Sequence, residues 1–262
     1  MAKKNMKLKI KNNAFSLTEV LMAAGILCIG IMLVATMFPV AIYLTTVASE
    51  RTMASIVADE AFAKMQLYGM NVESGDQDTF TVYSWRMEDE IDEIEFTYPS
   101  VDPQGGCRQY SWAAVCKKLN NDSGDMRYLV KLYVARKTSP NQKFYASALL
   151  SDANTLDWPV PIPITVAKNA SNELLMKWNK NGVEEYINPP PSTSIIDCAS
   201  GRIFRIIGRD DKFLTLDRDW DKDLKDPCAV LFLPAGIGSD KKPSGRNPDI
   251  DIFQKIIDFR KN

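Results

Sequence analysis

The chain holds 262 residues, with 32 lysines and arginines, 33 aspartates and glutamates and no histidine. The missing imidazole excludes His-based triads, HExxH zinc sites and imidazole acid–base catalysis. The net charge of −1 excludes a nucleic-acid binder that works by overall charge, so no nucleic-acid partner is expected.

The chain opens on a basic stretch, Met1 to Ala14, with Lys3, Lys4, Lys7, Lys9 and Lys11 and no acid. Ala14-Phe15-Ser16-Leu17-Thr18-Glu19 follows, and from Val20 to Ser49 thirty residues carry no formal charge. At about 1.5 Å of rise per helical residue, that run exceeds the roughly 30 Å hydrocarbon core of a bilayer. A membrane helix is expected over about 17–48. Glu19 stands where the apolar segment begins, and burying such a charge costs on the order of 3 kcal/mol, so it calls for a partner. Five lysines before the helix place the amino terminus in the cytoplasm and the rest outside. A conventional secretory signal is cut after its apolar region. Glu19 argues against both that reading and an uncleaved signal anchor.

At these residues the chain resembles the type IV pilin and type II secretion pseudopilin superfamily. Its prepilins carry a short basic leader, a small residue before the cut, Phe after it, Glu four residues beyond, and a continuous apolar helix. Ala14 stands where Gly is usual. The resemblance implies cleavage between Ala14 and Phe15 by a prepilin peptidase and methylation of the new amino terminus on Phe15. It further implies pairing of that amine with Glu19 of an adjacent subunit. The implied partners are the bacterial inner membrane, the peptidase, an assembly platform and other pilin subunits.

Removal of the leader leaves 248 residues, with 27 bases against 33 acids. Ala23, Ala24, Gly25, Gly30 and Ala35 offer small surfaces for close helix approach. Pro39 would clash with the carbonyl of Ala35, so a kink or local melting is expected there. After Ser49 the pattern turns amphipathic, with Ala54, Val57, Ala58, Ala61, Met65 and Tyr68 at helical spacing. Glu50, Ser55, Asp59 and Lys64 are read off that stripe, Glu60 with Lys64 forms an i,i+4 pair, and Gly69 is the expected stop.

Beyond it the β signal dominates, in runs at 79–85, 94–98, 110–116 and 128–135. These predict an antiparallel sheet laid on the helix. The Pro-rich passage 158–163 reads as a stiff boundary, and a second β module is expected after it. There, 173–178 and 183–187 flank Asn181-Gly182, a hairpin signature, and 202–207 and 213–217 flank 208–211. Runs at 230–233 and 250–259 complete the module. The expected class is α+β: leader 1–14, helix 15–69, pilin-like β domain 70–157 and second β-rich module 158–262.

Cys28 lies in the membrane helix, whereas Cys107, Cys116, Cys198 and Cys228 lie beyond it, an even set that reads as two disulfides in an exported protein. Neighbour pairing, Cys107 with Cys116 and Cys198 with Cys228, would contribute about 3 to 4 kcal/mol each, though sequence alone permits three connectivities. Candidate chemistry is thin. Ser239 and Lys242 match S-x-x-K without its companion elements, Gly236 and Gly238 lack a phosphate-binding fingerprint, and the alternating Asp217, Asp219, Asp221 and Asp223 lack an EF-hand's Gly and Glu. No cofactor, metal or catalytic residue is expected. The expected function is a non-enzymatic minor pilin or pseudopilin subunit. The alternatives are a filament-displayed adhesin stacking glycans on Trp178 or Trp220, and an anchored ectohydrolase.

Overall fold

The structure is a computed structural model that describes residues 16–69, 80–83, 91–100, 108–120, 126–146, 155–176, 189, 191–210, 213–220, 228–238 and 247–259. It divides into two compact units, 1–49 and 50–262.

The described part of the first unit is the opening of one helix, α1 (Leu17–Tyr68). Ser16 starts it. Its backbone carbonyl accepts the N–H of Glu19 and Val20 at 3.0 and 3.2 Å, and its Oγ accepts the Glu19 N–H at 3.2 Å. That is an N-cap, which satisfies donors a helix end otherwise leaves open. The threonines of the uncharged run are satisfied the same way, by their own helix. Thr36, Thr45 and Thr46 donate their hydroxyls to the carbonyls of Leu33, Ala41 and Ile42 at 2.8, 2.8 and 2.9 Å. In hydrocarbon such internal partners are required. The helix continues through Pro39 without interruption, so it is not melted there.

The second unit begins with the rest of α1. Ala54, Val57, Ala58, Ala61 and Met65 are buried as their spacing predicts, with Phe62 beside them. Burying each of the larger side chains stabilises by roughly 1.5 to 3 kcal/mol. Tyr68 departs from the expectation and stays 51% exposed. The helix ends beneath it, where Gly69 takes φ 76° and donates its N–H to the Met65 carbonyl at 3.1 Å. This left-handed cap suits glycine. The Glu60–Lys64 pair forms at 2.9 Å, and Lys64 also reaches Glu95 at 2.9 Å.

The described strands run in chain order. The first group is β1 (Thr81–Tyr83), β2 (Thr97–Tyr98), β3 (Tyr110–Lys118), β4 (Arg127–Arg136), β5 (Phe144–Tyr145) and β6 (Thr155–Leu156). Then come β7 (Ile162–Ala170), β8 (Glu173–Met176), β9 (Ser194–Asp197), β10 (Ile203–Arg209), β11 (Phe213–Leu216), β12 (Cys228–Phe232) and β13 (Asp249–Asp258). A short 3-10 helix, Glu93–Phe96, precedes β2.

One antiparallel sheet has the order β1-β3-β4-β13, with β2 also paired to β3. Its faces bury two different cores. Trp112, Ala114 and Cys116 of β3 and Val130, Leu132 and Val134 of β4 pack on α1. The alternate residues Val115, Tyr133 and Ala135 pack instead against Ile196, Leu231 and Leu233. Burial on both faces explains why β3 and β4 read as mostly apolar runs rather than alternating ones, with Lys131 the charge within β4.

The second sheet closes on itself as a barrel in the order β10-β11-β8-β7-β12-β9. Its interior is filled: Ile162, Ile164, Val166, Leu174, Phe204 and Phe232 are among the side chains buried together there. Closure removes the exposed strand edges an open sheet would carry. The molecule is therefore α+β, with a barrel where the sequence suggested only a β-rich module.

Three expectations are corrected. The 250–259 run does not belong with the second module: β13 pairs with β4 from Asp249↔Ala135 to Asp258↔Arg127. Phe253 and Ile257 complete the core against α1, and that packing draws the strand back. The Pro-rich boundary already holds the start of β7, where Ile162, Ile164 and Val166 point in while Pro163 and Thr165 stay out. Finally, β8 hairpins backwards, with β7 and β11 as its two neighbours. The 183–187 run proposed as its partner lies outside the described residues, as do Asn181 and Gly182.

Candidate assembly surface

Glu19 lies in the first turn of α1, three residues after the capping Ser16. A carboxylate here is favoured by the positive end of the helix dipole. Among the described residues it has no ion-pair partner in its own chain. Around and beyond it, the chain leaves an apolar surface uncovered: Leu17 is 79% exposed, Ile26 72% and Met32 71%, and the exposure continues past Phe38 to Leu44. By length and composition this helix is able to cross a membrane. Cys28 is exposed on the same stretch with a free thiol. Ala14 and Phe15, the expected cleavage and methylation positions, lie outside the described residues.

Comparison with family models, with curated proteins and with solved structures finds no match. The site is therefore argued from its own geometry.

The cysteine expectations fare differently. No disulfide is found among the described residues, where Cys198 carries a free thiol. Cys107 and the side chain of Cys228 lie outside them. Cys116 sits in the core between sheet and α1, and burial pushes its thiol well above the ordinary range. Burial, with Asp197 beside it, pushes Cys198 up to about 12. Protonated at neutral pH, both are poor nucleophiles for disulfide exchange. Cys198 also donates its N–H to the carbonyl of Ala229 at 2.9 Å, which sets its backbone opposite Ala229 rather than Cys228.

Other candidates resolve into structural roles. Trp220 is 2% exposed and packs on Phe204 at 4.7 Å between ring centres, so it offers no face to a glycan. Trp178 lies outside the described residues, as do Asp221, Asp223, Ser239 and Lys242. Burial disfavours the charge of Asp217, but hydrogen bonds from the Arg205 N–H and from Arg218 outweigh it and hold the carboxyl below its usual range. That carboxylate already serves its own neighbours. A Cβ at Gly236 would meet the side chain of Gln142, which would have to move aside, so Gly236 packs against that side chain rather than lining a phosphate site.

Sequence reading missed two residues of this surface and its surroundings. Ser16 was legible: S-x-x-E before an apolar run is a helix-start signature. Glu50 was read as solvent-facing, yet it is buried and meets Arg136 Nη1 at 2.6 Å.

Proposed function

We propose that this chain is a non-enzymatic, membrane-anchored subunit of the pilin or pseudopilin kind, held in the bacterial inner membrane and transferred from there into a filament. One observation carries the reading: an acid with no ion-pair partner among the described residues, in the first turn of a helix whose apolar surface those residues leave open. The two settings that would cover that surface, lipid and a bundle of sister helices, are both apolar, so hydrophobicity barely discriminates between them. Charge does. A free amine at Phe15 of one subunit and Glu19 of the next would fix the axial register of the bundle, since neither is tolerated alone in hydrocarbon. The sheet-packed continuation of α1 supports the reading, because it gives the membrane helix a folded head outside.

The decisive measurement is mass spectrometry of the amino terminus of the native protein. A terminus at methylated Phe15 is expected, and a functional protein retaining residues 1–14 would end the proposal. Glu19→Ala is expected to insert and lose its leader normally but to drop out of sheared filaments, by tenfold or more for a lost charge pair worth about 1.4 kcal/mol or above. Incorporation at the parental level would remove Glu19 from the mechanism.

A further inference from the structure

Asp249 opens β13 on the line where the sheet meets the barrel. Its Oδ2 accepts the backbone N–H of Ser194 in β9 at 3.0 Å, and the Ser194 hydroxyl bonds to the same carboxyl. Its own N–H is held by Asn247 Oδ1 at 3.1 Å. The other oxygen, Oδ1, is closed off from solvent without a hydrogen-bond partner among the described residues. So is Oγ1 of Thr193, the residue next to Ser194. Two buried polar atoms without partners thus flank one hydrogen bond across the junction, and each such atom is costly.

A carboxylate only accepts hydrogen bonds, whereas a carboxylic acid also donates one. Ionised Asp249 leaves Oδ1 as a charged, dry acceptor; protonated Asp249 carries no charge to desolvate. The surrounding groups do not rescue the charge. Arg205 of β10 is a cation among them, and its guanidinium acts on Asp249 through space. Asp251 on β13 repels it, though one of its oxygens is taken by the Ile252 N–H at 2.9 Å. The Tyr133 hydroxyl of β4 is already donated to the Leu231 carbonyl of β12 at 2.9 Å.

We propose that Asp249 is a proton-gated clasp between barrel and sheet, closed when its carboxyl is protonated and loosened when it ionises. Burial, partly offset by the Ser194 hydrogen bonds, raises its carboxyl from 3.8 to about 6. A group raised in the folded state contributes stability that is complete below its unfolded value and is lost as pH rises through the folded one. The clasp is therefore fast below about pH 4 and released above about pH 6. The proposal does not depend on the filament reading.

The test is hydrogen exchange of the full chain in detergent micelles, read by mass spectrometry between about pH 5 and 7.5 and corrected for intrinsic exchange. Protection at 194–197 and 249–252 is expected to fall with rising pH, by about tenfold across this window out of a full range on the order of 100 that begins below pH 4, while β10 and β11 stay level. Asp249→Asn, neutral at every pH, is expected to flatten that dependence. Carboxyl carbon titration of the wild-type chain gives a second measurement should the variant not fold, with a midpoint near 6 expected. Level protection in the wild type, an undiminished slope in Asp249→Asn, or an ordinary carboxyl midpoint near 4 would each overturn the clasp.

Discussion

Glu50 follows directly on the uncharged run, yet its carboxylate is 7% exposed and paired with an Arg136 side chain that is 34% exposed. Its position repeats that of Ala54, Val57, Ala58 and Ala61 at four-, seven-, eight- and eleven-residue intervals, so spacing alone assigned it to the buried stripe. Charge argued the other way, and a partner 86 residues distant is not visible in one sequence. Lys131 is the same case in a strand. Between apolar neighbours it reads as the outward residue of β4, but it is 4% exposed, hydrogen-bonded to Gln254 and 5.9 Å from the Phe80 ring centre. Glu50→Gln is expected to lower stability by about 2 kcal/mol, below the figure for a fully buried pair because Arg136 keeps contact with water. Denaturant unfolding of the full chain in micelles checks this, and a double-mutant cycle with Arg136→Gln should show the two losses to be non-additive.

At the level of elements, legibility followed periodicity. The packed half of α1, its Gly69 stop, β3, β4, and the β10–β11 hairpin were all readable, because helical spacing was uninterrupted, the strand runs were rich in apolar, aromatic and β-branched residues, or the turn residues were explicit. β7 was not, since its prolines mask the alternation of Ile162, Ile164 and Val166. β9 is four residues long and too short to announce itself. The turn joining β9 to β10 shows what such a short strand depends on. Gly201 has φ 72°, and a Cβ there would collide with the Phe80 ring. Gly201→Ala is expected to cost about 2 to 4 kcal/mol, from the left-handed backbone and the overpacked ring together. Thermal unfolding would reveal it as a lowered midpoint, and trimming the ring with Phe80→Leu should recover part of the loss.

For the whole molecule, the sequence suggested two β modules in series, while the second unit holds a barrel set between β4 and β13 of the sheet. Nothing in the local sequence specifies that return, because a strand's partner is chosen by long-range packing rather than by its own composition. The candidate site was the more legible part: the acid and the apolar run lie within a few turns of one helix, so local spacing sufficed. Removal of 249–262 tests the arrangement. In a serial layout only the second module would suffer. Here β4 loses its neighbour and the core loses Ile257. Limited proteolysis is therefore expected to cut the truncated chain within the sheet as readily as within the barrel.

The way β13 closes the sheet also sets a timetable. A chain made from its amino end presents α1 and β4 early, but the sheet cannot be completed until every residue of the barrel has been made. Contacts so far apart in sequence form slowly. Until the last strand arrives, one side of β4 is bare and the apolar stripe of α1 is only partly covered, so the growing chain exposes apolar surface that general chaperones bind. Quality control is thereby built into the topology: a chain cut short during synthesis would fail at its oldest part as well as its newest.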